Sequence, residues 1–420
     1  MRLTSRWNRR GFLATAATIS GALLSPHKLF SSSGKPAAKN MSVSGFGSTG
    51  NPYEELGVTT VINCEGTMTT LGGSLPHPEL EAVMGMAGRH FVSIPELEIA
   101  AGKRIAEMLK LPEGYSAFVT SGAAAAIQSG LAGILTGGNE ALIRQLPDLT
   151  AMKSEVIIQK THRNPFDHQL RSTGVKLIEI ETVEDLRAAV NDRTAMMHFS
   201  NFANADGQIK VDEWVRLAKQ FNLPCMNDAA ADTPPVSHLW DYANMGYDLV
   251  TFSGGKAMRG PQCAGLLIGR QELVANALLN NSPYEDTIGR SQKVGKEEIL
   301  GMVKALDLFL AEDHDALARE WQSRLELISR EITKIPGVST TFFVPDIANH
   351  VPHMRIVWDE AHVSLTPEEA AKLLRASKPS IAIGRGEGQP GLAMNSFMLQ
   401  PGEEKIVAAQ LASLFRGHAA

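Results

Sequence analysis

From about residue 52 onward, short apolar runs alternate with longer amphipathic ones. The short runs predict strands over 117–120, 156–159, 176–180, 195–199, 223–227, 249–252 and 265–268. Between them, apolar residues recur with helical spacing over 124–135, 183–190 and 212–221. Strands that alternate with helices predict an α/β domain. Near Lys293 the spacing changes. One long helical stretch over 296–334 leads to strands over 339–344 and 353–358, which predicts a smaller carboxy-terminal α+β domain starting near Ser291. No internal repeat is present.

The amino terminus follows different rules. Asn8-Arg9-Arg10-Gly11-Phe12-Leu13-Ala14 precedes a weakly apolar run over 15–24, too short for a membrane span of about 20 residues. Paired arginines ahead of such a run read as a twin-arginine export signal. The Ser-, Gly-, Lys- and Ala-rich tract over 31–50 reads as a linker. The expected organisation is therefore signal and start of linker over 1–38, linker over 39–51, amino-terminal segment and large domain over 52–290, and small domain over 291–420. A periplasmic location follows as an expectation.

Composition changes this picture little. Across 420 residues, 44% are hydrophobic and 20% charged, as in ordinary globular chains. The net charge of −5 offers no basic footprint for nucleic acid. The three cysteines, Cys64, Cys225 and Cys263, have mostly small or apolar neighbours and no CxxC spacing. They read as buried thiols. A protein exported already folded also has little use for disulfides.

Ligands of open α/β sheets collect at the carboxyl ends of strands. Three such ends carry chemistry. Thr120-Ser121-Gly122-Ala123 links a strand to a helix; it is either a plain turn or an anion site whose N–H groups and helix dipole favour a phosphate. Asp228, in Asn227-Asp228-Ala229-Ala230, either caps a following helix or holds a proton on a heterocyclic nitrogen; Asp232 is the less favoured substitute. Lys256, in Ser253-Gly254-Gly255-Lys256, is either a surface amine or one placed for Schiff-base chemistry. A nucleotide-binding P-loop is excluded, because Val250 and Ala257 stand where that motif needs Gly and Ser or Thr.

Phosphate turn, acid and lysine, in that order, resemble the fold-type I pyridoxal-phosphate enzymes (aspartate-aminotransferase-like). The stretches VINCEGTMTTLGGS from Val61, FVTSGAAAAI from Phe118, VIIQKTHRNPFDHQL from Val156, DLVTFSGGKAMRGPQCAGLLIGR from Asp248 and IGRSQKVGKEEILGMVKAL from Ile288 resemble the selenocysteine-synthase-like branch, especially D-glucosaminate-6-phosphate ammonia-lyase-like proteins. The resemblance implies pyridoxal 5'-phosphate as cofactor. It assigns Lys256 to the Schiff base, Asp228 to the ring nitrogen, and Ser121, Gly122, Ala123 and Ser253 to the phosphate. It implies His162 as the ring-stacking residue, with His168 as alternate, and Arg290 and Arg385 as grips for a substrate carboxylate. No metal is expected, since His162, Asp167 and His168 lack a recognised ligand spacing.

The implied activity is a lyase acting on an amino acid or amino-sugar acid, with ammonia released by elimination. A racemase or aldolase for hydroxy amino acids, a transferase like the selenium transferases acting on L-seryl-tRNA(Sec), and a non-catalytic binding protein are the alternatives. The implied partners are a small-molecule substrate and a second copy of the chain, with neither nucleic acid nor membrane for the mature protein.

Overall fold

The structure is a computed structural model that describes residues 47, 50–386 and 389–419. The twin-arginine segment and most of the linker lie outside those residues. Residues up to Val58 group apart from 59–420. Their described part is one short helix, Pro52–Glu55, in which the Asn51 side chain accepts the Tyr53 N–H at 3.0 Å. No helix among the described residues is long and apolar enough to cross a membrane.

In chain order the strands are β1 Val61–Asn63, β2 Tyr115–Thr120, β3 Glu155–Gln159, β4 Lys176–Ile180, β5 Thr194–Ser200, β6 Cys225–Asp228, β7 Leu249–Ser253, β8 Gly265–Arg270, β9 Val338–Phe343, β10 His353–Trp358, β11 Ser380–Ala382, β12 Gly384–Arg385 and β13 Leu392–Asn395. A seven-stranded sheet has the order β2-β8-β7-β6-β5-β3-β4. Only β8 runs against the rest.

Neighbouring residues of these strands enter different cores. Val119, Ile157, Cys225, Val250 and Leu266 join one cluster, while Phe118, Val156, Met226, Leu249 and Leu267 join another. Helices thus cover both faces, which explains why these strands read as apolar runs rather than alternating patterns. The helix Val211–Gln220 shows the complementary logic. Its buried Trp214, Val215, Leu217 and Ala218 form one stripe, with Asp212 and Glu213 in its first turn.

A second core draws on both sides of position 290. It joins Ile62 and Cys64 to Leu325, Ile356, Ile381, Met394 and Phe415, and β1 pairs in parallel with β11. Its four-stranded sheet has the order β12-β13-β10-β9. The long helix expected over 296–334 is two helices, Lys296–Ala311 and His314–Ile332. The break has a local cause: the Asp313 carboxylate accepts the Ala316 N–H at 2.9 Å and starts the second helix. Cys64 and Cys225 are buried as expected, but Cys263 is exposed. It lies in the turn between β7 and β8, beside exposed Gln262, before the sheet resumes at Gly265.

Candidate active site

β6 and β7 are neighbours, with Asp228 opposite Thr251. The Asp228 carboxylate accepts the Ala230 N–H at 3.2 Å and the Thr251 hydroxyl at 3.3 Å. Burial raises its pKa, against the two hydrogen bonds and the charge of Lys256.

After β7 the chain folds back on itself. A Cβ on Gly254 would lie 2.3 Å from the Met302 sulfur, and one on Gly255 would lie 2.9 Å from the Gln262 Cα. Only glycine fits both places, and the tight turn they allow sets Lys256 into the same cavity as Asp228. Burial lowers the Lys256 pKa, while Asp228 pulls it upward. The cavity holds about 690 Å³.

The Ser121–Ala123 turn lies at the same end of the sheet. Gly122 has φ +102 and opens the helix Ala123–Thr136, where no side chain caps the first turn. Its leading N–H groups are therefore oriented for an anion. Ser253 pairs with Gly265 across β7 and β8, and a Cβ on Gly265 would press within 2.8 Å of Ala123 N. Ser253 and the turn are thus drawn together beside the cavity, although neither belongs to its lining.

The two histidines do not reach the cavity. His162 is fully buried, with Nδ1 accepting the Ser200 N–H at 3.2 Å and its ring edge-on to Phe199 at 4.5 Å. Burial lowers its pKa to about 4, and the ring packs in the core instead of lining the cavity. His168 is exposed and sits 3.2 Å from Arg171. Phe166 lines the cavity instead, with 59% of its surface exposed. Its turn is fixed by Asn164, which accepts the Phe166 N–H at 2.8 Å, and by buried Asp167, held between Arg163 and Arg171. Phe202 faces the same space.

Of the expected carboxylate grips, Arg385 lines the cavity, where its nearest carboxylate is Glu368 at 3.7 Å. Arg290 does not line it. Sequence reasoning missed Arg355, which does. It stands on the outward-facing side of β10, where His353, Arg355 and Val357 alternate with buried Met354, Ile356 and Trp358. Its guanidinium lies 5.5 Å from the Phe343 ring, and Gly386 leaves the space beside it, since a Cβ there would meet Nη1 at 2.4 Å. Asn395, next to His353 at 3.3 Å, keeps a buried Oδ1 without a partner. The alternation of β10 was the available signal, but nothing local tied that face to Lys256. Among the described residues, no group of three or more His, Cys, Asp or Glu is placed to hold a metal ion.

Lys256, Asp228 and the glycine turn are thus gathered at the carboxyl end of the parallel strands. The profile of a family described as "SelA: L-seryl-tRNA selenium transferase" matches residues 61–337. The chain belongs to that family. Among its relatives, D-glucosaminate-6-phosphate ammonia lyase of Salmonella typhimurium is 26% identical, over 86% of this chain and 97% of its own length. The 5'-C-glycyluridine monooxygenase-decarboxylase of a Streptomyces species is 28% identical, over 87% and 92%. The L-seryl-tRNA(Sec) selenium transferase of Mannheimia succiniciproducens is 29% identical, over 53% and 51%. A solved structure of a D-glucosaminate-6-phosphate ammonia-lyase superposes with a TM-score of 0.76 at 24% identity, over 88% of this chain and 99% of that one. The architecture of this family member is the fold-type I, aspartate-aminotransferase-like one expected from its sequence.

Proposed function

We propose that the protein is a pyridoxal-phosphate-dependent lyase that releases ammonia from a 2-amino-3-hydroxy acid, either an amino acid or an amino-sugar acid. The observation that carries this reading is Lys256 and Asp228 in one cavity, with burial biasing the lysine toward its neutral amine, and two hydrogen bonds and the Lys256 charge favouring the Asp228 carboxylate against its burial. The extent of the likeness supports it too, since the ammonia-lyase relative aligns over 97% of its length and the selenium transferase over 51%.

The residues present fit the cofactor. Lys256 would meet its aldehyde, Asp228 its ring nitrogen, the Ser121–Ala123 turn and Ser253 its phosphate, and Phe166 one ring face. Bound pyridoxal 5'-phosphate supplies an electron sink for the substrate's Cα. The chain's own residues manage protons. Lys256, biased by burial toward the neutral amine, takes the Cα proton and returns one to the departing β-hydroxyl. That hydroxyl leaves as water. Uptake of one water by the released enamine then gives the keto acid and ammonia, so atoms balance. Asp228 would keep the ring nitrogen protonated, while Phe166 and Phe202 border the approach. Arg355 and Arg385 orient the substrate's acidic group.

A panel of D- and L-2-amino-3-hydroxy acids tests the reading: ammonia and keto acid are expected in equal amounts. An inverted enantiomer or an aldehyde in their place would reassign the enzyme as a racemase or an aldolase. With the best substrate, Arg355→Ala should raise KM about 10- to 100-fold, the cost of a lost charged hydrogen bond. Arg290→Ala should stay within about two-fold of the parent, as a substitution away from the site does.

We also propose export through the twin-arginine route and a homo-oligomeric assembly. The support for export is the Arg9-Arg10 segment alone. Replacing both arginines by lysine should leave the full-length protein in the cytoplasmic fraction; unchanged periplasmic recovery would remove this proposal.

A further inference from the structure

Asp232 lies four residues beyond Asp228 and is 1% exposed. Its carboxylate gathers partners from distant elements. Oδ2 accepts from the Asn201 amide and the Tyr242 hydroxyl, and lies 3.2 Å from Nδ1 of His238. Oδ1 faces the other way and accepts the Ala348 N–H at 3.2 Å. One residue further along, the Asn349 N–H donates to the Ala231 carbonyl at 2.8 Å.

Ala348 and Asn349 belong to the loop between β9 and β10. Both are left-handed, with φ +56 and +50, a backbone region that non-glycine residues seldom occupy. Two such residues in succession persist only where surrounding contacts hold them, and such strain collects at ligand clamps. The contacts here are the two bonds to Asp232 and Ala231. Pro345, Ile347, Ala348 and Asn349 also line the cavity that contains Lys256. One carboxylate therefore joins the loop that follows Asp228 to the far wall of the same cavity.

We infer that Asp232 is a positioning residue that anchors residues 345–349 as a fixed wall, and that this wall discriminates substrates by the length of chain beyond Cβ. This rests on the lyase reading for its substrate class, but the anchoring stands on the two bonds alone. On this inference a six-carbon amino-sugar acid such as glucosaminate depends on contacts with the wall more than a short hydroxy acid such as serine does. An unanchored wall costs the long substrate its contacts and leaves the proton chemistry at Lys256 in place.

The test uses the cofactor-loaded enzyme and two variants, Asp232→Asn and the milder Tyr242→Phe, which removes a single donor to the hub. Amide hydrogen exchange of the peptide over 344–351 should rise about ten-fold or more in Asp232→Asn and less in Tyr242→Phe, as local opening becomes cheaper. In the same samples, KM for glucosaminate relative to serine should rise about ten-fold in Asp232→Asn, with kcat falling no more than about three-fold, the signature of lost binding rather than lost chemistry. Unchanged exchange in both variants would overturn the anchoring. Faster exchange with an unchanged KM ratio would overturn the role in discrimination. If the parent enzyme turns over neither acid, the lyase reading falls and takes the discrimination with it, while the exchange rates still decide the anchoring. If Asp232→Asn fails to fold, Tyr242→Phe carries both measurements.

Discussion

Lys256→Ala should give a folded but colourless protein, with turnover reduced by roughly 10²- to 10⁴-fold, the usual share of a positioned acid–base group. The fold should tolerate the change. Burial costs the Lys256 ammonium more than the nearby Asp228 charge returns, because its pKa is lowered on balance. Truncation therefore removes a buried group that contributes no net stability as a cation. Visible absorption and ammonia release, measured on the same purified sample, check both halves. A coloured, active Lys256→Ala enzyme would mean that another amine carries the chemistry.

Asp228→Ala is the second large effect. Its carboxylate is the buried acid at the end of β6 that faces Lys256, and two donors already aim at it. Loss of an oriented electrostatic partner costs about 10²- to 10³-fold in kcat. Asp228→Asn keeps the shape and still accepts the Ala230 N–H, so it separates charge from packing. Both variants should bind the cofactor through Lys256 and be slow. If Asp228→Asn matches the parent in kcat while Asp228→Ala is slow, the carboxylate serves structure and not the ring nitrogen.

Strands were legible where both faces are buried, as in β7, and where one face is partly exposed, as in β4 and β10. β4 and β10 match their expected ranges residue for residue, and β7 extends by one residue to Ser253. A short stretch rich in apolar residues between polar ones is a local property, readable without knowledge of the partner strand. The helix break at Asp313 was less visible, because apolar residues keep a helical spacing on both sides of it and a single capping carboxylate decides the issue. The pairing of β1 with β11 could not be read at all. It joins segments more than 300 residues apart, and neither three-residue strand carries a mark of the other.

The site divides in the same way. Lys256, Asp228 and the Gly122 turn were readable because each follows its own strand, and parallel strands bring their carboxyl ends to one edge. The far wall was not, since Arg355, Asn395 and the 345–349 loop reach the cavity only through the packing of a second sheet. The different placement of His162 and Phe166 has a finer cause. Both follow β3, but the 3₁₀ turn Lys160–His162 directs the histidine into the core against Phe199, and the next turn, Pro165–Asp167, presents Phe166 to the cavity. Only Arg163, Asn164 and Pro165 separate the two outcomes, a distance too short for periodicity to resolve.

The central claim is a covalent bond between one lysine and the cofactor. Borohydride reduction of the protein loaded with pyridoxal 5'-phosphate, followed by proteolysis and mass spectrometry, tests it most directly. A single phosphopyridoxyl-bearing peptide that contains Lys256 is expected, with loss of the visible band. A modified peptide from elsewhere in the chain, or none at all, would contradict it.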